Sequence, residues 1–395
     1  MLMDKPYYPH KAISSVNVLA KTLGIRESLL IELSIKSDTS YHEFTVCTKK
    51  GKDRTVYEPK PLLKRLQKKI NSRIFEKVKY PIYLQGGIKD EISKRDYVEN
   101  ARLHSKSKPS HLIGLDIKSF YDNIKTPKVH DIYKYFFKFP DPVCDVLTKL
   151  TTHKGKLPQG ACTSSYLANL VFFNSEYSLV SYFRKMGVTY TRLLDDVTLS
   201  SPVQLSEHQV GEAIKKVVGL FKKYNLKHNN KKTSIENNKN IKNGFQVTGL
   251  WVGHSEPKTT RDERRYIRIL VKTCEQKHKS DPYSQEFHEL WNKSSGLVAK
   301  LKRLGQPSHD SLRARLSVVL PLYDQKMASK LIMECKSLLT IKNKIQYSAG
   351  EVSNINKTLY KLGILSRNNP ISSSIWRKRI RANFKNLPSK KELWE

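Results

Sequence analysis

The stretch Tyr190-Thr-Arg-Leu-Leu-Asp-Asp-Val-Thr-Leu-Ser200 places two adjacent carboxylates, Asp195 and Asp196, between two runs rich in apolar and β-branched residues. This pattern predicts a strand, a tight turn that carries the acids, and a second strand. Neighbouring carboxylates repel each other, and burying them is costly unless a cation neutralises their charge. A divalent metal with oxygen ligands is the obvious cation. A solvated turn that holds two aspartates is the competing interpretation, and the rest of the chain decides between them.

The chain of 395 residues is strongly basic, with 72 Lys and Arg against 36 Asp and Glu and a formal net charge of +36. Such a surplus attracts polyanions, and nucleic acid is the expected partner. No apolar run approaches the length of a transmembrane helix, and the N-terminus lacks the apolar core of a signal peptide, so we expect no membrane partner. Five scattered cysteines form no Cys-x-x-Cys pair, which fits a reducing, cytoplasmic setting without disulfides or zinc.

A third acid follows an apolar strand upstream, in His111-Leu-Ile-Gly-Leu-Asp116-Ile. The C-terminal end of a buried strand is a common place for chemistry, although Asp116 could instead cap the segment after it. The helices between this strand and the acid pair are long enough to bring both strands into one sheet. Three carboxylates at one sheet edge of a basic chain predict a site for two Mg²⁺ ions. This combination points to a template-directed nucleotidyltransferase of palm type.

Residues 47–60 predict a hairpin whose turn is basic, since it holds Lys50 and Lys52, with Arg54 at the start of the returning strand. We expect these three cations, together with Lys232 in a polar turn downstream, to supply charge for a triphosphate. A solvated basic loop is the alternative for the hairpin.

The remaining pattern predicts helices around the sheet, with mainly helices after Pro257. The expected elements are a helical segment 11–36 broken at Gly24, helices 61–78, 93–104 and 207–224, a helix opened by Leu157-Pro-Gln-Gly160, a short strand 246–252 with a Gly kink, helices 261–279 and 296–320 joined by a looser connector 280–293, and a tail rich in cations and aromatics.

These blocks, in this order, resemble the reverse transcriptases, specifically their bacterial retron-like and defence-associated branch. The resemblance covers roughly residues 50–255. The matching stretches are Arg54-Thr-Val-Tyr-Glu-Pro (fingers strand), Gly114-Leu-Asp-Ile-Lys-Ser-Phe-Tyr (first palm motif), Leu157-Pro-Gln-Gly (nucleotide pocket), Leu193-Leu-Asp-Asp (Tyr-x-Asp-Asp motif), Asn229-Asn-Lys-Lys232-Thr (late palm motif), Gln246-Val-Thr-Gly-Leu (primer grip), and the branch signatures Asn100-Ala-Arg-Leu-His104 and Val247-Thr248-Gly249.

The resemblance implies an α+β, right-hand polymerase fold with an antiparallel palm sheet flanked by helices. The implied domains are N-terminal helices and part of the fingers (1–110), a palm with interleaved fingers helices (111–255), a helical thumb (256–345) and a basic C-terminal extension (346–395). The implied site residues are Asp116, Asp195 and Asp196 as ligands of two Mg²⁺ ions (with Mn²⁺ as the alternative ion), Tyr121 as steric gate against ribonucleotides, Gln159 and Gly160 as lining of the dNTP pocket, Lys232 as the group that protonates or binds pyrophosphate, and Asn100, His104, Val247, Thr248 and Gly249 as an RNA-binding signature.

We therefore expect an RNA-directed DNA polymerase that uses dNTPs to copy a structured non-coding RNA into DNA. An anti-phage defence role follows from the resemblance alone, and an accessory effector protein and a homo-oligomer are further partners to test. The alternatives are a retron enzyme that primes from an RNA 2′-OH and leaves a branched RNA–DNA product, a protein-primed or untemplated polymerase, and an RNA-binding scaffold with an unused polymerase fold.

Two features depart from the family pattern. Leu193 stands where the motif usually has Tyr, which puts primer positioning in question. The residues from about 345 onward extend beyond a compact retron enzyme, and this extension favours the first function over the retron alternative.

Overall fold

The structure, a computed structural model, describes residues 4–47, 51, 53–239, 244–341, 344, 347–389 and 392–393. The chain divides into two compact units, one ending at Pro257 and one beginning at Lys258. The predicted four-domain boundaries stay a prediction.

The N-terminal unit combines helices with short strands. Its helices are α1 (Val16–Leu23), α2 (Glu27–Ile35), α3 (Pro61–Arg73), α4 (Tyr97–Ser105), α5 (Phe120–Asn123), α6 (Thr126–Asp131), α7 (Asp141–Thr151), α8 (Ser164–Leu170), α9 (Glu176–Lys185) and α10 (Glu207–Lys223). Its strands are β1 (Tyr41–Cys47), β2 (Asp53–Pro59), β3 (Leu84–Gln85), β4 (His111–Asp116), β5 (Thr189–Leu193), β6 (Asp196–Ser201), β7 (Ser234–Asn237), β8 (Gln246–Val247) and β9 (Leu250–Trp251).

A central sheet with strand order β3-β5-β6-β4-β7 organises this unit. Strand β4 pairs antiparallel with both β6 and β7, and β5 and β6 form the hairpin predicted from residues 190–200. We call β5, β6 and their connecting turn (residues 189–201) the acid hairpin. Side chains alternate across a strand, so Ile113 and Leu115 enter the main core from one face of β4. Aromatic residues of the helical layer complete that core, with the Phe172 ring stacked 6.2 Å from Phe221. This architecture confirms the predicted α+β fold.

Several predicted helices are found where the sequence indicated them. The helical segment 11–36 breaks at Gly24, which caps α1 in the left-handed conformation with φ of 61°. Helix α10 begins with a capping box in which Ser206 and Gln209 satisfy each other's backbone N–H groups.

Three predictions of secondary structure were wrong. The helix expected over residues 296–320 is divided between two helices, Gln285–Arg303 and Ser308–Val318, with Gly305 between them in the left-handed conformation (φ 61°). Residues 246–252 form the hairpin β8–β9 rather than one kinked strand, because Thr248 (φ 50°) and Gly249 (φ 78°) both adopt the left-handed conformation. A two-residue type I′ turn needs that conformation at both central positions. The connector predicted at 280–293 is mostly helix, since the next helix begins at Gln285.

The C-terminal unit is helical, as the predicted fold class requires. Its helices are α11 (Arg261–Ser280), α12 (Gln285–Arg303), α13 (Ser308–Val318), α14 (Gln325–Leu339), α15 (Ala349–Leu365) and α16 (Pro370–Asn383). Helices α11–α13 share one apolar cluster around Phe287, and α14–α16 share another around Leu362. Within the described residues, no helix combines the length and apolar character that crossing a membrane requires.

Candidate active site

The three predicted acids meet at one end of the central sheet. Asp116, the last residue of β4, lies directly opposite Asp196, the first residue of β6. The backbone N–H of Ile117 donates to the carbonyl of Asp195 at 3.0 Å, which ties the turn of the acid hairpin to the end of β4. The backbone register therefore places the three acidic residues at the same end of the sheet.

The Asp116 carboxylate is held by the turn that follows α10. Lys232 Nζ donates to Asp116 Oδ1, and Asn229 Nδ2 donates to Asp116 Oδ2 at 2.8 Å. Only 5% of the Asp116 side chain is exposed, whereas 53% of Lys232 remains accessible. Desolvation opposes a rise in the Lys232 pKa, but the hydrogen bond and attraction to Asp116 outweigh it and raise the pKa. Lys232 is therefore a protonated group that can also face an anion from solvent.

The acid pair carries more negative charge than its surroundings neutralise. Burial first, and then the charge of Asp116, raise the pKa of Asp195, while Lys232 and Arg54 oppose the rise. Desolvation, followed by Asp195 and Asp116, raises the pKa of Asp196 to about 7, although that residue keeps contact with solvent. A cation at this position would relieve the repulsion.

The carboxylates suit a hard divalent cation by their chemistry. They are not preassembled as a metal centre, since within the described ranges no three Asp, Glu, His or Cys side chains converge closely enough to hold an ion. Asp116 is instead bonded to Lys232 and Asn229. Carboxylate oxygens that could bind a cation are thus present at this end of the sheet. One of them, Asp116 Oδ1, accepts a hydrogen bond from Lys232.

Leu193 and Leu194 shape the turn of the acid hairpin. Leu194 has φ of 58°, a left-handed conformation that costs an L-residue about 1–2 kcal/mol. The Leu193 side chain lies over Gly86, where an added Cβ would be 2.8 Å from Leu193 Cδ1. A glycine at position 86 therefore makes room for the leucine that replaces the usual tyrosine.

Tyr121 lies beside the acids on the short helix α5. Burial, followed by the charge of Asp195, raises the pKa of Tyr121 to about 12, so its phenol stays neutral. The preceding Phe120 points into the core and stacks 6.4 Å from Phe172. The two rings fix α5, and Tyr121 is the one placed near the acid pair.

The loop Leu157–Gly160 is fastened to the hairpin β1–β2. The Tyr57 N–H donates to the Gln159 carbonyl at 2.8 Å. A Cβ on Gly160 would lie 2.6 Å from Val56 Cγ1, and φ of 112° also requires glycine there. Arg54 lies on the same strand, exposed and close enough to influence Asp195. Lys50 and Lys52 lie outside the described residues.

The signature residues on α4 and the β8–β9 turn lie mostly in the interior. His104 is fully buried between Ser200 (2.6 Å) and Thr191 (2.7 Å), and burial lowers its pKa to about 3. Asn100 is also fully buried, and Val247 is 2% exposed.

Thr248 Oγ1 donates to the Tyr97 carbonyl at 2.8 Å, next to Gly249 in the type I′ turn. The predicted RNA contact therefore does not fit Asn100, His104 and Val247, since buried side chains cannot reach RNA. His104 instead joins α4 to the sheet, and Thr248 joins the β8–β9 turn to α4.

A cavity of about 290 Å³ adjoins the acids between the central sheet and β8–β9. Its lining includes Gly114, Asp116, Asp196, Lys232, Gln246 and Thr248. The cavity gives a ligand access to two of the three acids and to Lys232 together.

Two groups that contact this region were not foreseen: Asn229, and the buried pair of Arg192 and Glu176. The alternation of side chains along β5 could have predicted that Arg192 is buried, because it shares a strand face with the core residue Tyr190. A charge on a core face needs a buried partner of opposite sign.

The sheet and its acids have the architecture of a template-directed polymerase palm, and comparison with known proteins gives the family. Residues 46–267, more than half of the chain, match the family described as reverse transcriptase (RNA-dependent DNA polymerase). The chain belongs to the reverse transcriptase family and is an RNA-directed DNA polymerase of the bacterial retron-like branch.

Two relatives match nearly the whole chain. The Retron Se72 reverse transcriptase of Salmonella heidelberg (strain 579083-10) is 40% identical over 96% of this chain and 98% of its own length. The Retron Ec48 reverse transcriptase of Escherichia coli is 30% identical over 91% of this chain and 88% of its own length. Because the first relative matches the C-terminal segment as well, that segment is no reason to set the chain apart from retron enzymes.

Among solved structures, apo telomerase from Candida tropicalis aligns over 94% of this chain and 72% of its own, at 10% identity and a TM-score of 0.41. This likeness is too weak to add to the family assignment.

Proposed function

We propose that the chain copies a structured non-coding RNA into DNA at Asp116, Asp195 and Asp196, as part of anti-phage defence. The observation that carries the site assignment is that Asp116 and Asp196 lie opposite each other beside Lys232 at the edge of the 290 Å³ cavity, with Asp195 next to Asp196 in the turn. Within a family that depends on divalent metal, the raised pKa values of Asp195 and Asp196 mark them as groups that a cation would stabilise.

Asp116, Asp195 and Asp196 would hold two Mg²⁺ ions, with Mn²⁺ as a substitute. When bound, such ions lower the pKa of an attacking hydroxyl and stabilise the leaving oxygen. Lys232 is protonated and half exposed, so a substrate phosphate can replace Asp116 as its partner and accept its proton.

The nucleotide would lie between the Leu157–Gly160 loop and Arg54. Gly160 keeps the loop against β2, and the bond from Tyr57 to Gln159 holds both in register. Arg54 then supplies positive charge for the triphosphate without a competing ion pair in the described part of the chain, as phosphoryl transfer needs. We assign the same role to Lys50 and Lys52 from the sequence alone.

Tyr121 would select the sugar. Its ring is partly buried, packed against the main core near Asp195, and this packing limits its movement away from the sugar. A 2′-OH on the incoming nucleotide would meet this ring, which favours dNTPs.

RNA is the proposed template because the relatives over nearly full length are named retron reverse transcriptases and because a charge of +36 favours a polyanion. A second candidate is a retron enzyme in the strict sense, which primes from an RNA 2′-OH and leaves a branched product. The 40% identity to a retron enzyme of matching length favours this candidate. The protein purified with its own RNA also tests for a bound effector protein and for self-association.

The test is synthesis by the protein purified with its own RNA, Mg²⁺ and labelled dNTPs, followed by sequencing of the product. A debranchable product supports 2′-OH priming, and a protease-sensitive product indicates protein priming. A free templated product supports the first proposal, in which the enzyme copies its RNA without forming a branch. A wild-type protein that binds RNA but incorporates no dNTP would contradict the proposal.

The site assignment has its own control. Asp195→Asn should abolish synthesis, whereas Asp145→Asn, a change at an exposed carboxylate on α7, should leave it unchanged. Phage challenge of cells that carry either variant then tests the defence role.

A further inference from the structure

The guanidinium of Arg192, buried beneath the acid hairpin, uses all of its donors. Arg192 Nε and Nη2 donate to the two carboxylate oxygens of Glu176 at 2.6 and 2.8 Å. The remaining N–H groups donate to three backbone carbonyls, those of Leu194 (3.1 Å), Ala168 (3.3 Å) and Asn169 (2.9 Å). A fully buried arginine with five hydrogen bonds is a built junction rather than a surface charge.

The backbone carbonyls that accept bonds from Arg192 lie next to elements of the candidate active site. Leu194 is the strained turn residue whose peptide unit continues into Asp195. Ala168 and Asn169 lie near the end of α8, the helix that follows the Leu157–Gly160 loop. The amide of Asn169 also donates to the Gly86 carbonyl at 2.9 Å, beside Leu193.

Glu176 holds the arginine from a second element. It is 2% exposed, lies on α9, and accepts a further bond from the Tyr190 hydroxyl at 2.7 Å. The guanidinium also lies 5.0 Å from the centre of the Phe172 ring. Arg192 is thus fixed from α8, α9 and β5 together, so its position depends on none of them alone.

The residues of the turn do not by themselves favour the backbone conformation that the turn adopts. Two-residue turns of this kind favour Gly, Asn or Asp at positions with positive φ, and here Leu194 occupies that position. A strained residue keeps its conformation only when its surroundings over-determine it. Within the described residues, the Leu194 carbonyl accepts a hydrogen bond from Arg192 Nη1, and this bond orients the Leu194–Asp195 peptide from the protein interior.

We propose that Arg192, held by Glu176, is a positioning residue that fixes the Leu194–Asp195 peptide and so aims the Asp195 carboxylate for the transfer reaction. The inference rests on the proposed role of Asp195. It predicts a loss in the chemical step with nucleotide binding largely retained, because Arg192 does not touch the Arg54 and Gln159 region.

The test compares two guanidinium junctions of the same unit. Arg95 also makes five bonds, to Asp90 and to the carbonyls of Tyr80, Pro81 and Leu84, and its side chain is 6% exposed. Arg192→Lys and Arg95→Lys therefore remove comparable bonding at similar burial. Only the first change releases the peptide that leads into Asp195.

We expect Arg192→Lys to lower kcat by about 100-fold, the effect of displacing a reacting group by about 1 Å. The KM for dNTP should stay within about threefold, and the Mg²⁺ concentration for half-maximal rate should rise. Arg95→Lys should lower thermal stability comparably but change kcat by less than about threefold. Equal losses of kcat in both variants, or full kcat in Arg192→Lys, would overturn the proposal.

Two further substitutions, Glu176→Gln and Leu194→Asn, cover the case in which Arg192→Lys does not fold. Glu176→Gln preserves shape and removes the charge, and we expect about a tenfold loss of kcat from it, whereas unchanged kcat would contradict the proposal. Adding Leu194→Asn, a residue that tolerates positive φ, to Arg192→Lys or to Glu176→Gln should restore part of the lost kcat. A double variant as slow as its single parent would show that the pair does not act through the turn.

Asp195→Asn, assayed alongside, separates this inference from the site assignment. If Asp195→Asn still synthesises DNA, the site assignment fails and the positioning role fails with it. If Asp195→Asn is inactive while Arg192→Lys and Glu176→Gln keep full kcat, only the positioning role fails.

Discussion

Gly160→Ala tests whether the contact between the Leu157–Gly160 loop and β2 holds the nucleotide pocket together. An added Cβ would lie 2.6 Å from Val56 Cγ1 and 3.0 Å from the Tyr57 carbonyl. Overpacking of this kind costs about 1–3 kcal/mol. The φ of 112° at Gly160 adds backbone strain of about 1–3 kcal/mol.

The combined cost of overpacking and backbone strain exceeds the net stabilisation from the hydrogen bond between Tyr57 and Gln159, about 0.5–1.5 kcal/mol. The Leu157–Gly160 loop should therefore separate from β2, and Arg54 on β2 should move away from the loop. We expect the KM for dNTP to rise about tenfold or more, in a primer-extension assay on the RNA-bound enzyme.

Gly155→Ala is the matched control. Gly155 also has positive φ (76°), but nothing lies within 4 Å of its added Cβ. Both variants should show a lower melting temperature, since both carry backbone strain, but Gly155→Ala should keep its KM within about twofold. If both variants show the same KM, the contact at Gly160 does not organise the nucleotide pocket.

Three further predictions concern the site itself. Tyr121→Ala should admit ribonucleotides, measured as the rNTP/dNTP ratio of kcat/KM, while the exposed Tyr135→Ala should not; unchanged selectivity rules out the gate. Because the folded-state pKa of Asp196 is raised to about 7, metal-free enzyme should lose stability as pH rises from about 4 through 7. Asp196→Asn should remove most of this loss in melting curves with EDTA, and a persistent loss would place its origin elsewhere. Lys232→Gln should lower kcat by about 100-fold while Lys231→Gln does not, and equal rates would exclude Lys232 as the proton donor.

The sequence predicts the acid hairpin and β4 well because their signals are local. Alternating apolar residues mark the strands, and the acids stand at their ends, with Asp116 last in β4 and Asp196 first in β6, so the two lie opposite each other at one end of the sheet. The family resemblance supplies the order of the blocks.

Tertiary contacts explain what the sequence does not predict. Glu176 lies on a different element from Arg192, and nothing local pairs them. His104 was expected to meet RNA because it belongs to a signature of the family branch, but Ser200 and Thr191 satisfy both of its ring nitrogens in the interior. The β8–β9 turn was missed because a non-glycine residue, Thr248, adopts positive φ.

The central claim is that Asp116, Asp195 and Asp196 carry out RNA-directed DNA synthesis, and the most direct test is dNTP incorporation by Asp195→Asn enzyme purified with its RNA. We predict a loss of at least about 1,000-fold in kcat, with RNA content and melting temperature close to those of Asp145→Asn. Synthesis by Asp195→Asn at a rate near that of Asp145→Asn would contradict the claim.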